Sequence, residues 1–282
     1  MAKKQAGKEP SAPKYVVSIV VPTYKESKNI ELLTRRIFQT LAKCPEIQAQ
    51  LFLVEDDSGE DTLETKRIVD RLSKDFPIRL RIRTPNQGKG LSSAVLLGLR
   101  ETTSEYLVVM DADLQHEPES LPDLLAPVLS GQAEFAIGSR NALGAETSES
   151  WPLVRRVISW GATALARPLT SCGDPMSGFF ALPRTTLDRA KYLNPTGYKI
   201  GLELMVRCRV KEVIEVPIQF RDREFGESKL TMKQNILYVQ HLARLYWFAY
   251  PGLVVVLLFA IALACVLSLW LCNQVYLHVT AM

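Results

Sequence analysis

The chain predicts an α/β fold with a mostly parallel sheet, followed by a single apolar helix near its carboxy terminus. Three observations predict it. Strand-like and helix-like segments alternate from Val16 to Met110, the pattern that yields right-handed βαβ crossovers. Each of the first four strand-like segments runs into a polar cluster, and ligands of parallel sheets collect at the carboxyl ends of strands. From Gly252 to Cys272 there is no Asp, Glu, Lys or Arg. A run of about 20 such residues is long enough to cross a bilayer as a helix.

In order, residues 1–14 carry Lys3, Lys4, Lys8 and Lys14 without an apolar centre. They read as a disordered basic arm and not as a secretory signal. Val16 to Val21 is an apolar, mostly β-branched run stopped by Pro22, the mark of a buried parallel strand. Ile30, Leu33, Ile37 and Leu41 then recur at helical spacing, predicting a helix over Ser27 to Ala42. Leu51 to Val54 is the next strand and runs into Glu55-Asp56-Asp57-Ser58-Gly59. A helix near Asp61 to Phe76, a strand at Ile78 to Arg83 and the loop Asn86-Gln87-Gly88-Lys89-Gly90 follow. That loop opens a helix through Arg100, which leads to the strand Tyr106 to Met110. Pro118-Glu119 starts the helix after it, since proline is favoured at the first helical position.

Between Met232 and Tyr246, Ile236, Val239, Leu242 and Tyr246 recur at helical spacing, with Lys233, His241 and Arg244 on other faces. This predicts an amphipathic helix over 231–249, lying along a membrane surface or packed as an ordinary helix of the large domain. The membrane span is placed at 250–272 and a short tail at 273–282. Lys229, Lys233 and Arg244 precede the span, and Asn273 to Met282 has no Lys or Arg. The positive-inside rule therefore puts the large domain in the cytosol and the tail across the membrane.

Composition removes several function classes. A net charge of +4 over 282 residues is too mild for a nucleic-acid binder. The five cysteines show no metal or C-x-x-C spacing, so neither a zinc site nor a disulfide framework is expected. The turn after the first strand lacks Gly-x-Gly-x-x-Gly, and no Gly-x-x-x-x-Gly-Lys-Ser/Thr loop occurs anywhere. Dehydrogenase and P-loop readings fail on those grounds.

The most informative stretch is Val108-Val109-Met110-Asp111-Ala112-Asp113-Leu114-Gln115-His116. An apolar strand delivers two carboxylates spaced i, i+2 to one side of its tip. Two hard oxygen donors suit Mg²⁺ or Mn²⁺, whose shell is completed by diphosphate and water. Acidic pairs at strand ends often only solvate a turn. Here Pro22 to Glu26, Asp56-Asp57, Gly88-Lys89-Gly90 and Asp111-Ala112-Asp113 all fall on one edge, and that convergence favours a site. His116 reads as a packing neighbour of the motif and not as a ligand.

These segments, together with Gly138-Ser139-Arg140, resemble the inverting GT-A glycosyltransferases of family 2. Arg155 with Ser159, Asp174-Pro175-Met176-Ser177-Gly178-Phe179-Phe180, Gly197-Tyr198-Lys199-Ile200 and Phe220-x-x-Arg223-x-x-Gly226-x-Ser228-Lys229-Leu230 narrow the resemblance. Over roughly Val16 to Leu245 the chain resembles the dolichol-phosphate mannose synthase family, in its single-subunit form with one carboxy-terminal span. The resemblance implies a GT-A catalytic domain over 15–230. It implies transfer of mannose from GDP-mannose to dolichyl phosphate with inversion, for glycosylation pathways at the endoplasmic reticulum membrane, without accessory subunits.

By position, the resemblance implies a nucleotide-sugar site on Pro22, Tyr24, Glu26, Asp57, Asp111, Ala112, Asp113, Gln115, Arg140, Arg223 and Lys229. It implies Mg²⁺ or Mn²⁺ on Asp111, Asp113 and Gln115, and acceptor phosphate on Arg140, Arg155, Ser159 and Arg223. Asp113, Arg140 and Arg223 are the residues nearest the chemistry. Glu55 departs from the family, which often has an aliphatic residue there. A phosphate monoester is already ionised near neutral pH, so no side chain is expected to act as general base. Two other readings stand beside this one. A polyprenyl-phosphate glucosyltransferase using UDP-glucose would have a nearly identical site, and a catalytically idle membrane scaffold would keep the fold alone.

Overall fold

The fold is that of a computed structural model, which describes residues 13–147, 153–194, 199–220 and 232–280. Its elements run β1 (Tyr15–Thr23), α1 (Ser27–Leu41), β2 (Ile47–Asp56), α2 (Glu60–Leu72), β3 (Ile78–Arg83), α3 (Leu91–Glu101), β4 (Tyr106–Val109) and α4 (Leu121–Leu129). There follow β5 (Phe135–Ser139), β6 (Glu146–Thr147), α5 (Leu153–Ala166), β7 (Phe180–Pro183), α6 (Arg184–Leu187) and α7 (Ile200–Arg207). The chain ends with β8 (Val213–Pro217), β9 (Gln219–Phe220), α8 (Met232–Ala249) and α9 (Pro251–Thr280).

Seven strands form one sheet in the order β3-β2-β1-β4-β7-β5-β8. β7 alone runs antiparallel to its neighbours β4 and β5. The other pairings are parallel. The predicted α/β class and mostly parallel sheet hold, and the first four strands fall where the sequence placed them. β1 lies between β2 and β4, with Val17, Ile19, Val20 and Val21 fully buried, as an apolar run covered on both faces requires. The two faces are separate cores, one under α1, α2 and α4, the other under α3 and α7. Gly98 lets α3 sit against the sheet, because a Cβ there would stand 2.4 Å from Val20 Cγ1.

The strand order reverses between β1 and β4. In an open α/β sheet that reversal leaves a crevice beyond the carboxyl strand ends. A two-stranded sheet of β6 and β9 and a bridge from His116 to Phe220 lie beside it.

At the other extremity, on α8, Ile236 and Val239 are more than half exposed, whereas His241, grouped in the sequence with Lys233 and Arg244, is buried at 2%. The inward stripe is Tyr238, His241, Leu242 and Leu245. Periodicity did not show it, because a histidine with a buried carboxylate partner behaves as a core residue. α9 contains one stretch, Pro251–Trp270, long and apolar enough to cross a membrane, with none of it buried inside the protein. The helix continues to Thr280, into the segment read as a tail.

Candidate active site

The crevice is built from strand ends. β1 delivers Pro22, Tyr24 and Glu26, and Lys25 turns the chain through a left-handed φ of 59°. The Tyr24 ring then lies between two ammonium groups, Lys25 Nζ at 5.6 Å and Lys89 Nζ at 5.3 Å from its centroid. The loops after β1 and β3 therefore meet over one aromatic ring. Glu26 accepts a hydrogen bond from Asn29 Nδ2 at 2.8 Å, and Asp61 anchors the start of α1 by accepting from Ser27 Oγ at 2.5 Å.

The Asp56-Asp57 cluster divides into two roles. Asp56 is not a ligand candidate: Arg83 Nε donates to its Oδ1 at 2.7 Å and Gly90 N to its Oδ2 at 2.7 Å. Arg83, 1% exposed, also donates to Gly90 O at 3.0 Å and Ser93 Oγ at 2.9 Å. This buried ion pair thus fixes the Gly88-Lys89-Gly90 loop. Asp57 is exposed and accepts only a local bond, from Gly59 N at 3.0 Å. Glu55 is fully buried and accepts from Thr62 Oγ1 at 2.9 Å, and burial pushes its carboxyl above the ordinary range. Its side chain therefore serves the turn and is not open to a ligand.

After β4, Asp111 is partly exposed while Ala112, Asp113 and Gln115 are buried. Leu114 takes a left-handed φ of 60°, rare for a side chain of its size, and this kink folds Gln115 back on Asp113. Gln115 N donates to Asp113 Oδ1 at 3.2 Å. Gly178 backs Asp111 so closely that a Cβ there would stand 2.9 Å from Oδ2. Among the described residues no three or more His, Cys, Asp or Glu side chains converge as a metal cluster. Two carboxylates and an amide at one kinked strand end fit Mg²⁺ or Mn²⁺ sharing its shell with diphosphate and water.

His116 is a packing residue, as expected. It stacks on Phe179 at 5.3 Å and meets Phe220 edge-on at 5.5 Å. Burial lowers its pKa to about 4, so it is neutral near pH 7.

Arg140, from the end of β5, is gripped by Asp174: Nε donates at 2.8 Å, Nη2 at 2.8 Å and the backbone N at 3.0 Å. Burial opposes ionisation of Asp174, but the bonds from Arg140 outweigh it and hold that carboxyl below its usual value. Phe220 covers the guanidinium, with Cζ 5.2 Å from the ring centroid. Lys199 donates to Met176 O at 2.9 Å. Burial, and then the charge of Arg140, lower its pKa to about 8, while Asp174 and Asp111 oppose the shift. Asp111, Arg140, Asp174 and Lys199 therefore share one electrostatic neighbourhood.

Asp174 and Lys199 carried no role in the sequence reading, although both stood inside quoted motifs. The signal available was a charged residue embedded in a Gly-, Pro- and aromatic-rich run. Arg155 and Ser159 sit on α5, but their side chains lie outside the described part. Arg223 and Lys229 also lie outside the described residues.

The Glycosyl transferase family 2 pattern matches residues 18–190. A dolichol-phosphate mannosyltransferase of Mycosarcoma maydis is 38% identical over 90% of this chain and 86% of its own. One of Saccharomyces cerevisiae is 39% identical over 92% of this chain and 97% of its own. Among solved structures, glucosyl-3-phosphoglycerate synthase of Mycobacterium tuberculosis, in complex with Mn²⁺, UDP and glucosyl-3-phosphoglycerate, superposes with a TM-score of 0.58 at 16% identity. That match covers 88% of this chain and 86% of the other, and at such identity it speaks to the fold.

Proposed function

The chain belongs to glycosyl transferase family 2, and from that premise we propose that it transfers mannose from GDP-mannose to dolichyl phosphate with inversion at the sugar carbon. Relatives with that acceptor class in their names match nine-tenths of the chain, and this observation carries the reading. The crevice supports it with charges of both signs, an acidic pair at β4 and the Arg140–Asp174–Lys199 group within reach of Asp111.

In this reading Pro22, Tyr24, Glu26 and Asp57 receive the nucleotide. Asp111, Asp113 and Gln115 hold a divalent cation, which when bound supplies charge neutralisation at the leaving diphosphate. An oxygen of the acceptor phosphate attacks the anomeric carbon as the bond to the diphosphate oxygen breaks, and the electron pair leaves with GDP. Arg140, with Arg155, Ser159, Arg223 and Lys229, orients acceptor and diphosphate. Asp174 keeps the Arg140 fork in one pose, which limits the motion of the cation nearest the reacting groups.

No side chain is assigned as base. Asp174 is committed to Arg140, and a buried histidine with a pKa about 4 is a weak proton acceptor. The acceptor phosphate arrives ionised. A pH–rate profile revealing an essential enzyme base near neutrality, lost on one carboxylate substitution, would refute this part.

We place the protein in the endoplasmic reticulum membrane as a single-pass enzyme with its catalytic domain in the cytosol, acting without accessory subunits. The apolar stretch within α9 and the basic residues before it support that placement. The test is transfer from labelled GDP-mannose, with UDP-glucose in parallel, to dolichyl phosphate in detergent with Mg²⁺ or Mn²⁺. Metal-dependent mannolipid from this chain alone is the expected result. Glucolipid would move the assignment to the UDP-glucose reading, and no product from either donor would favour the scaffold.

A further inference from the structure

Two tyrosines of α8 and Tyr250, the residue that joins it to α9, bond to backbone carbonyls of one other segment. Tyr238 Oη donates to Ala162 O at 2.7 Å, Tyr246 Oη to Leu165 O at 2.8 Å, and Tyr250 Oη to Pro168 O at 2.5 Å. The donors stand at positions 238, 246 and 250, multiples of four apart, so they line one stripe of α8 with buried Leu242 filling the gap. The acceptors follow the end of α5 into the 3-10 turn Arg167–Leu169. Leu165 and Pro168 sit where a helix ends and carbonyls lose their intrahelical donors, so a hydroxyl from outside is well used there.

The ladder joins two parts with separate tasks. α5 carries Arg155 and Ser159 nearer its other end. Tyr250 stands at the joint between α8 and α9, with its N–H bonded to Tyr246 O and its carbonyl accepting from Val254 N. The adjoining part of the same buried stripe ties α8 to α7: His241 Nε2 lies 2.7 Å from Glu203 Oε2, and the Arg207 guanidinium stacks 4.5 Å from the Phe248 ring centroid. α7 starts directly after Lys199. The helix before the span therefore holds both α5, which carries Arg155 and Ser159, and α7, which begins beside Lys199.

We propose that Tyr238, Tyr246 and Tyr250 are positioning residues that transmit the seat of the membrane helix to α5 and so set the pose in which the acceptor phosphate is held. This rests on the mannosyl-transfer reading, with α5 as an acceptor segment. A hydroxyl-to-carbonyl bond has direction, which general packing lacks, so removing the oxygen while keeping the ring tests the ladder without opening a cavity.

The full-length Tyr246→Phe/Tyr250→Phe double variant, in detergent with dolichyl phosphate and GDP-mannose, is the decisive case. Both rungs are partly exposed, so the variant should fold. The acceptor KM should rise roughly three- to tenfold, with the donor KM and kcat at saturating acceptor within about twofold of wild type. Tyr192→Phe, at an exposed tyrosine outside the ladder, should change neither KM. An unchanged acceptor KM, or donor and acceptor KM rising together as in general loosening, would overturn the ladder while leaving the mannosyl-transfer reading intact. A wild-type chain that forms no mannolipid would overturn that reading, and the ladder's role with it.

Discussion

The proposed nucleotide side and the proposed acceptor side of the crevice are held by different physics. The nucleotide side hangs on strand ends, where β1, β2, β3 and β4 are in parallel register and a buried tie, the Arg83–Asp56–Gly90 cluster, joins two of the loops. The acceptor side, apart from Arg140 at the end of β5, hangs on helices, tied by single hydroxyls, a His–Glu pair and an Arg–Phe stack between α8, α5 and α7. A strand end inherits its position from a whole ladder of backbone bonds. A helix docked by a few side-chain bonds can shift when the membrane part shifts. The nucleotide side should therefore tolerate changes near the membrane, and the acceptor side should report them.

The sharpest way to separate the two is to empty one. Asp113→Ala removes a carboxylate from the kinked strand end without touching the core. Transfer should fall by at least about a thousandfold, the scale of losing several kcal/mol of charge stabilisation. The melting temperature should hardly move. Substantial turnover at saturating Mn²⁺ would refute the metal assignment. The converse cut is made after Tyr250, which keeps every rung of the ladder but removes α9. Nucleotide binding should persist, while turnover on dolichyl phosphate in bilayers should drop by about a hundredfold, because the tether no longer concentrates enzyme at its acceptor. Equal activity on embedded acceptor would show that the tether does nothing.

The two sides also differed in how far the sequence revealed them. Val16 to Val21 and Tyr106 to Met110 announced their strands by local apolar runs, Ile78 to Arg83 by alternation of apolar residues with arginine, and the polar cluster after each marked the edge. β7 was not legible, being four residues long and antiparallel after a long excursion. The burial of His241 was not legible because its partner, Glu203, lies on another helix. Asp174 and Arg140 are likewise 34 positions apart, and no spacing rule joins them. Properties carried by neighbours in sequence were readable, and properties carried by pairs across the fold were not.

Arg83 is such a pair on the nucleotide side. Arg83→Met leaves Asp56 buried with only the Gly90 N–H, and breaking a buried pair by one partner costs about 3 kcal/mol. Denaturant unfolding should show that loss. The donor KM should rise as the Lys89 loop slackens, with the acceptor KM unchanged. A rise in both would mean that the two sides are not independently held.

The smallest expected effect lies at the seam, where Asp174 grips Arg140. The folded-state pKa of Asp174 is depressed below the ordinary carboxylate value, which for an unfolded chain is about 3.9. Its stabilising contribution is therefore present above that value and is lost as pH falls through the lower folded-state pKa. Asp174→Asn keeps the shape but cannot ionise. The stability gap between wild type and variant should be widest above about pH 5 and narrow steadily on acidification towards about pH 3. Denaturant melts at a series of pH values measure it directly. A gap independent of pH would mean that the grip on Arg140 is one of shape and not of charge, and the pose of the central arginine would then rest on the strand end, as the nucleotide side does.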